Sequence, residues 1–560
     1  MNSFLPMKPF PHRARILHLW LMAAAASLGA QVAPPDAGQV QRTTGMLPLP
    51  PPLVARPGLL PLPKEVREPA PGGPAVLVRD ISVTGNTVFT AEQLRAVVAD
   101  QLGRKLDLAG MRALARRISE HYRTNGYPFA KAVIRVQEFQ DDTLKITVLE
   151  GRYGAIKVIG EPALVEGAAP FLTALRPGDL LAADRLERTV LVLEGLPGLA
   201  VTPSVSPGSE LGTSDLAIAL RMNTLEGGDV GVDNAGSRYT GYYRAHVSYY
   251  RNSLARFGDR ASLLLMVTDH GMLLGSLDYD QPLGGHGLRW QVGFSRISYT
   301  LAEEYAALDA TGLARVWSTF LTYPLLRSQS TNVSLSVGLL HKDLRDEFAA
   351  VSIEEAKTTF SVPVALRFDR RDNFLGGAVS YGGLTWTLGH LSLDDAMTAA
   401  DAATARKAGN YGKVNFDLAR IQSFTPDLSL YGRFAAQWAT GNLDSSERLA
   451  IGGFEGVRAY PVGEGSGDAG WLAQVELRKV VGDFAPYLLY DASHARINRR
   501  SWDAASDQAR NLSGVGLGVR YAHDLWSGNL NISWRLDGGV PTQDVPPVNY
   551  RIAFSLSRNF

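Results

Sequence analysis

From residue 225 to the final Phe560, apolar and polar residues alternate in segment after segment, separated by clusters of Gly, Asn and Asp. Val548, Tyr550, Ile552, Phe554 and Leu556 alternate with Asn549, Arg551, Ala553, Ser555 and Ser557. Leu530, Ile532, Trp534 and Leu536 do so with Asn531, Ser533 and Arg535, and Val333, Leu335, Val337 and Leu339 with Ser334, Ser336 and Gly338. A period of two places each set on opposite faces of a strand. The polar face carries arginines, which lipid at mid-bilayer would penalise by about 2–4 kcal/mol, so a membrane must meet the other face. Spanning strands of about ten residues plus their connections use roughly 18 to 22 residues each, which leaves room for about sixteen strands. Unpaired edge amides have no water to bond in lipid, so the sheet must close. The expected fold is a transmembrane antiparallel β-barrel over residues 225–560. A soluble β-sandwich is the rival, but two packed sheets seldom grow this large.

Composition excludes several other classes. The 560 residues contain no cysteine, so thiolate metal sites, disulfides and thiol catalysis are ruled out. A net charge of +1 gives no overall bias toward nucleic acid. No run of eighteen apolar residues occurs, so spanning helices are not expected.

The N-terminus reads as an export signal. His12, Arg13 and Arg15 precede an apolar run over residues 16–28, followed by the small residues Gly29 and Ala30. A basic head, a short greasy middle and a small-residue exit describe a secretory signal peptide over residues 1–30. Residues 34–43 can form a brief helix with Asp36 near its start; whether it plugs the barrel is open from sequence. Proline-rich chain then runs to residue 74, an extended tether completing a segment of residues 31–74.

Two small α/β units are expected next, over residues 75–151 and 152–224. In the first, residues 76–83 read as a strand, and Thr90 with Gln93 as a capping box. Leu108, Met111, Leu114, Ala115, Ile118 and Tyr122 follow at helical spacing up to Asn125-Gly126. Strands over 130–136 and 143–149 complete it. The second unit repeats the cycle with a strand over 153–159, a short helix over 170–175, a clear helix over 184–193, and strands over 201–205 and 216–221. Arg112, Arg116, Arg117 and Glu120 read as a solvated helix face.

This order resembles POTRA domains, and GNTVFTAEQL, NGYPFAKAVI and VLEGRYGAIKVIG are similar to the junction segments of that module. Within the barrel, GVDNAGSRYTGYYRA, LRFDRRDN, LDSSERLAIGGFEGVRAYPVGEGSGDAG and PYLLYDAS resemble two-partner secretion transporters of the TpsB family. The resemblance implies an outer-membrane transporter with periplasmic POTRA domains that secretes a large partner exoprotein, such as a haemolysin or adhesin. The implied partners are that unfolded client, outer-membrane lipids and, during biogenesis, the barrel assembly machinery; a monomer is expected. An outer-membrane assembly factor of the BamA or TamA kind, or a gated pore without a protein client, are the alternatives.

Residues 452–470 hold seven glycines around Arg458. In the family that the resemblance names, the loop after the eleventh strand folds into the pore and carries a Val-Arg-Gly/Ala-Tyr tetrad, here Val457, Arg458, Ala459 and Tyr460. A guanidinium in a narrow, partly dehydrated lumen needs a carboxylate, and its planar fork suits one bidentately. Asp369, Asp372, Asp483 and Asp491 could each supply it; the resemblance selects Asp491 on the inner wall. It also reads the terminal Phe560 as a barrel-assembly signal. The glycines of residues 463–467 and 514–518 open no helix after a buried strand and lack the Lys-Ser/Thr of a phosphate loop. The ten histidines show no metal spacing, and no GxSxG elbow occurs. No catalytic, cofactor or metal residues are assigned; the chain reads as a non-enzyme.

Overall fold

The computed structural model describes residues 34–44, 72–544 and 547–560. The expected signal peptide and most of the proline-rich tether lie outside the described residues.

Sixteen antiparallel strands, from Glu226–Asp233 to Tyr550–Asn559, close into a barrel. Alternation decides what each face meets. Trp317, Trp386, Leu388 and Leu477 stand exposed on the outer wall, whereas Lys357, Glu476 and Asp491 are buried inside. The longest strand, Ile353–Asp372, has 20 residues, about twice what a tilted spanning strand requires, so the wall extends beyond the membrane. The last strand closes on the first from Ser555 opposite Asp233 to Asn559 opposite Asp229. Phe560 extends this seam: its amide donates to the Gly228 carbonyl at 3.0 Å and its carbonyl accepts from the Gly228 amide at 3.1 Å.

At the end of the barrel with the short turns sit the two α/β units. In the first, Thr143–Leu149 runs parallel to Asp80–Thr84 and antiparallel to Lys131–Val133, with helices Ala91–Val97 and Leu108–Thr124 packed on the sheet. The Thr90–Gln93 capping box forms, and Gly126 takes a positive φ of 93° just past the helix end. The expected single strand over 76–83 is two strands with different partners. Val76–Val78 pairs with Arg104–Leu106 and only Asp80–Thr84 joins the main sheet. The strand expected over 130–136 is short, because only Lys131–Val133 finds a partner. Arg117, read as a solvated arginine, instead ties the two helices together, donating to Asp100 and to the Val97 carbonyl, both at 2.7 Å.

Glu150 holds the turn of this unit in place. Its buried carboxylate accepts from the Thr87 amide and hydroxyl, from the Val88 amide at 2.8 Å and from the Tyr122 hydroxyl at 3.0 Å. Burial pushes this carboxyl up, but the hydrogen bonds from Thr87, Val88 and Tyr122 outweigh it and hold it below the ordinary glutamate range.

The second unit has Thr213–Met222 at its centre, parallel to Arg152–Ile159 and antiparallel to Leu199–Pro207. Its first helix is Pro162–Ala168, earlier than the expected 170–175, where only a single 3₁₀ turn, Ala169–Leu172, forms. Helix Ala183–Glu194 docks on the barrel. Arg188 donates to the Pro324 carbonyl at 2.9 Å, Glu187 accepts from the Gln329 amide at 2.6 Å, and Phe171 meets Phe257 edge-on.

Candidate functional site

Two elements fill the lumen. One is the helix Ala37–Thr44, whose expected sequence range is nearly met. The other is the connection between the eleventh strand, Leu428–Ala439, and the twelfth, Ala469–Lys479.

The arginine of that connection reaches the wall. Asp491 lies on the thirteenth strand, Phe484–Arg496, and faces inward with no exposed surface. Arg458 grips it as a fork, Nε to one oxygen at 2.8 Å and Nη2 to the other at 2.7 Å, and its own backbone amide adds a third bond at 3.1 Å. Nη1 donates to Glu476 at 2.5 Å. Glu476 in turn accepts from Arg478 at 2.7 Å and from Arg520 at 2.9 Å. The buried guanidinium therefore sits between two carboxylates, and the second carboxylate is balanced by two further arginines. Paired and hydrogen-bonded, such charges persist where a lone one could not.

Its neighbours in the tetrad are buried too. Val457 and Tyr460 are fully enclosed, and Ala459 nearly so. The Tyr460 hydroxyl donates to the Asp537 carbonyl at 2.9 Å, tying the tip to the far end of the fifteenth strand, Trp526–Asp537. Gly514, Gly516 and Gly518 lie on the fourteenth strand, Ala509–His523, opposite Asp491, Leu489 and Tyr487 of the thirteenth. A Cβ on Gly514 would come 2.6 Å from that of Ala459, so a glycine here makes room for the loop. The base of the connection is anchored separately: buried Glu464 accepts from Arg510 at 2.5 Å and from the Thr542 amide at 2.8 Å.

Of the rival carboxylates, Asp369 accepts from Asn332, Asp372 pairs with Arg420 and Asp483 with His523. None approaches Arg458. Glu476 escaped the sequence reading as a partner, although its place on the polar face of its strand, between Gln474 and Arg478, was the available signal.

The helix is held by charge as well. Asp36 caps it, accepting from the Gln39 amide at 2.8 Å, and pairs with Lys357 at 2.7 Å. Lys357 also pairs with Asp444 at 2.7 Å, and Ser445 donates to Asp36 at 2.7 Å. Asp346 accepts from the Ala37 amide at 3.0 Å. A second knot lies beside it, where Glu447 pairs with Lys342 at 2.8 Å and Lys413 at 2.7 Å. Gly38 touches the loop so closely that a Cβ would come within 2.9 Å of the Ser446 amide nitrogen. Helix and loop thus share one lysine-carboxylate cluster, which the sequence did not disclose because its members lie up to about 400 residues apart.

The family model for haemolysin secretion/activation proteins of the ShlB/FhaC/HecB type matches residues 212–542, more than half of the chain. The chain belongs to this family. A model for the ShlB-type POTRA domain matches residues 76–151. The chain is thus a two-partner secretion transporter of the outer membrane, with its POTRA domains in the periplasm. It is 26% identical over 475 residues to the heme/hemopexin transporter protein HuxB of Haemophilus influenzae (strain 86-028NP), covering 82% of this chain and 83% of that one. It is 22% identical to the outer membrane transporter CdiB of Dickeya dadantii, covering 86% and 87%. Among solved structures, CdiB from Escherichia coli superposes with a TM-score of 0.71 over 98% of both chains at 19% identity. BamA from Haemophilus ducreyi lacking POTRA domains 1–3 gives 0.52 at 12% identity over 86% of this chain and all of that one.

Proposed function

We propose that this transporter captures its exoprotein client unfolded on the two POTRA units, residues 75–151 and 152–224. The client then passes through the lumen once the helix Ala37–Thr44 leaves and the loop of residues 452–470 yields. Val457, Arg458, Ala459 and Tyr460 form the working tip of that loop, Asp491 is its inner-wall partner, and Phe560 at the seam serves barrel assembly.

One observation carries the reading: the helix is held in the barrel by side chains and by single backbone bonds to side chains, as at Asp36, Lys357 and Asp346, and joins no sheet. An obstruction of this kind can depart without breaking the wall, since the strand ladder that seals the barrel stays intact. The route assigns no covalent chemistry to the protein. Folding of the client outside supplies the bias, because stretches that have folded there cannot slip back.

The chain lacks cysteine, so paired cysteines can be introduced cleanly. Thr44 meets Met272, in the connection between strands Arg260–Thr268 and Leu273–Pro282 at the rim of the barrel, Oγ1 to Sδ at 3.8 Å. Thr44→Cys with Met272→Cys, bridged by a short thiol cross-linker in intact cells, should stop secretion of the partner protein while other outer-membrane proteins stay at normal levels. Unchanged secretion by the bridged form would refute the route. A general fall in outer-membrane proteins would point to an assembly factor instead.

A further inference from the structure

We propose that the outer wall of the barrel carries a binding site for the phosphorylated headgroup of an outer-leaflet lipid, formed by Arg296, Arg315 and Arg345. The residues lie on the fifth, sixth and seventh strands, Arg289–Thr300, Ala310–Arg327 and Thr331–Phe348. Register places Arg296 directly opposite Arg315, Arg315 opposite Asp343, and Arg345 opposite Leu313. All four charged residues share the parity of Trp317 and Leu321, which stand exposed on the outside of the barrel. They therefore face the membrane side and not the lumen.

Depth is set by the rows beneath. One step toward the periplasm, Phe294 packs against Trp317 at a tilt, with ring centroids 4.3 Å apart, and His341 and Phe360 continue that row. Further down the same strands the wall is apolar, with exposed Leu321, Val337 and Leu339. Aromatic rings collect where hydrocarbon gives way to headgroups, so the arginines begin at headgroup level. Beyond them, toward the exterior, Glu347 lies opposite Glu354.

The arrangement is unfavourable without an anion. Like charges directly opposite on one face of a sheet repel. Asp343 alone serves two of the arginines, at 3.3 Å from Arg315 and 3.4 Å from Arg345. Among the described residues Arg296 has no ion-pair partner. Three guanidiniums less one carboxylate leave a charge of +2 in the arginine row itself, with the carboxylates of Glu347 and Glu354 one row farther out. Guanidinium forks match phosphate oxygens bidentately, and the adjoining apolar wall can take the acyl chains of the same molecule. A free phosphate would use only the forks, so the two-part surface favours a lipid.

The test uses the full-length protein in detergent, with native mass spectrometry counting retained lipid. Bis-phosphorylated lipid A and its dephosphorylated form are the probes. The wild type should retain the phosphorylated form about tenfold better, and the variant Arg296→Gln/Arg315→Gln/Arg345→Gln should lose that preference, as expected for two or more charge-assisted bonds. Heat-modifiability on gels reports that the variant barrel is folded; should it not fold, Arg296→Lys/Arg315→Lys/Arg345→Lys keeps the charge, loses the fork and should keep only part of the preference. Equal retention of both lipids by the wild type would overturn the proposal, as would a lysine variant with none of the wild-type preference lost. Displacement of the lipid by millimolar inorganic phosphate would overturn its assignment to a lipid.

Discussion

Ala459 rests against the backbone of Gly514, close enough that a Cβ at 514 would sit 2.6 Å from the Ala459 Cβ. The loop tip and the fourteenth strand are fitted to each other at one methyl group. Gly514→Ala should therefore displace the tip and lower secretion while the barrel still folds. Adding Ala459→Gly should restore part of the loss, as the colliding methyl is then gone. Normal secretion by Gly514→Ala alone would show that the tip does not need this seat.

Arg458→Ala would leave Asp491 and Glu476 facing each other without their shared cation, at a local cost of about 3–5 kcal/mol for a broken buried pair. The variant should reach the membrane as a heat-modifiable barrel and secrete poorly. Asp491→Asn should do the same, since a neutral amide cannot complete the fork. Combining the two should cost less than the sum, because each single change already breaks the shared pair. Additive effects in that cycle would separate the two residues.

Lys357→Ala removes the cation that Asp36 and Asp444 share at 2.7 Å each. The helix should then spend more time outside the lumen. Purified protein in planar bilayers should show larger and more frequent open-pore currents than the wild type. A current record indistinguishable from the wild type would mean that the lysine cluster does not hold the helix.

Glu150 gives the first POTRA unit a defined acid sensitivity. Its carboxyl lies below the usual glutamate value in the folded state, so the stability it adds is present above that value and is lost as pH falls through the depressed one. Hydrogen exchange at the Thr87 and Val88 amides should accelerate, after correction for the intrinsic pH dependence, only once pH has fallen below the ordinary glutamate range. Glu150→Gln should show the faster exchange already at neutral pH, with a loss of about 1–3 kcal/mol for the weakened bonds. Protection unchanged in that variant would assign the turn's rigidity elsewhere.

Much of the architecture was written in local pattern. The alternation around Leu335, Ile532 and Phe554 announced strands and their lipid face, and the number of strands followed from chain length. Thr90 with Gln93, and Asn125 with Gly126, marked helix ends because capping uses residues three or four positions apart. The misjudged edges, at residues 76–83, 130–136 and 170–175, are places where a segment's partner decides its extent. The Arg458–Asp491 pair was legible only through resemblance, since spacing left Asp369, Asp372 and Asp483 equally eligible.

Sequence by itself determined that the chain forms a closed wall with one greasy and one polar face, because side-chain direction in a strand depends only on parity. The tertiary structure decided which charges meet inside that wall. Asp36, Lys357 and Asp444, or Arg458, Glu476 and Asp491, come together across a curved surface through the register of several strands at once. No local signal records that register, since each pair in it depends on every pair before it around the barrel.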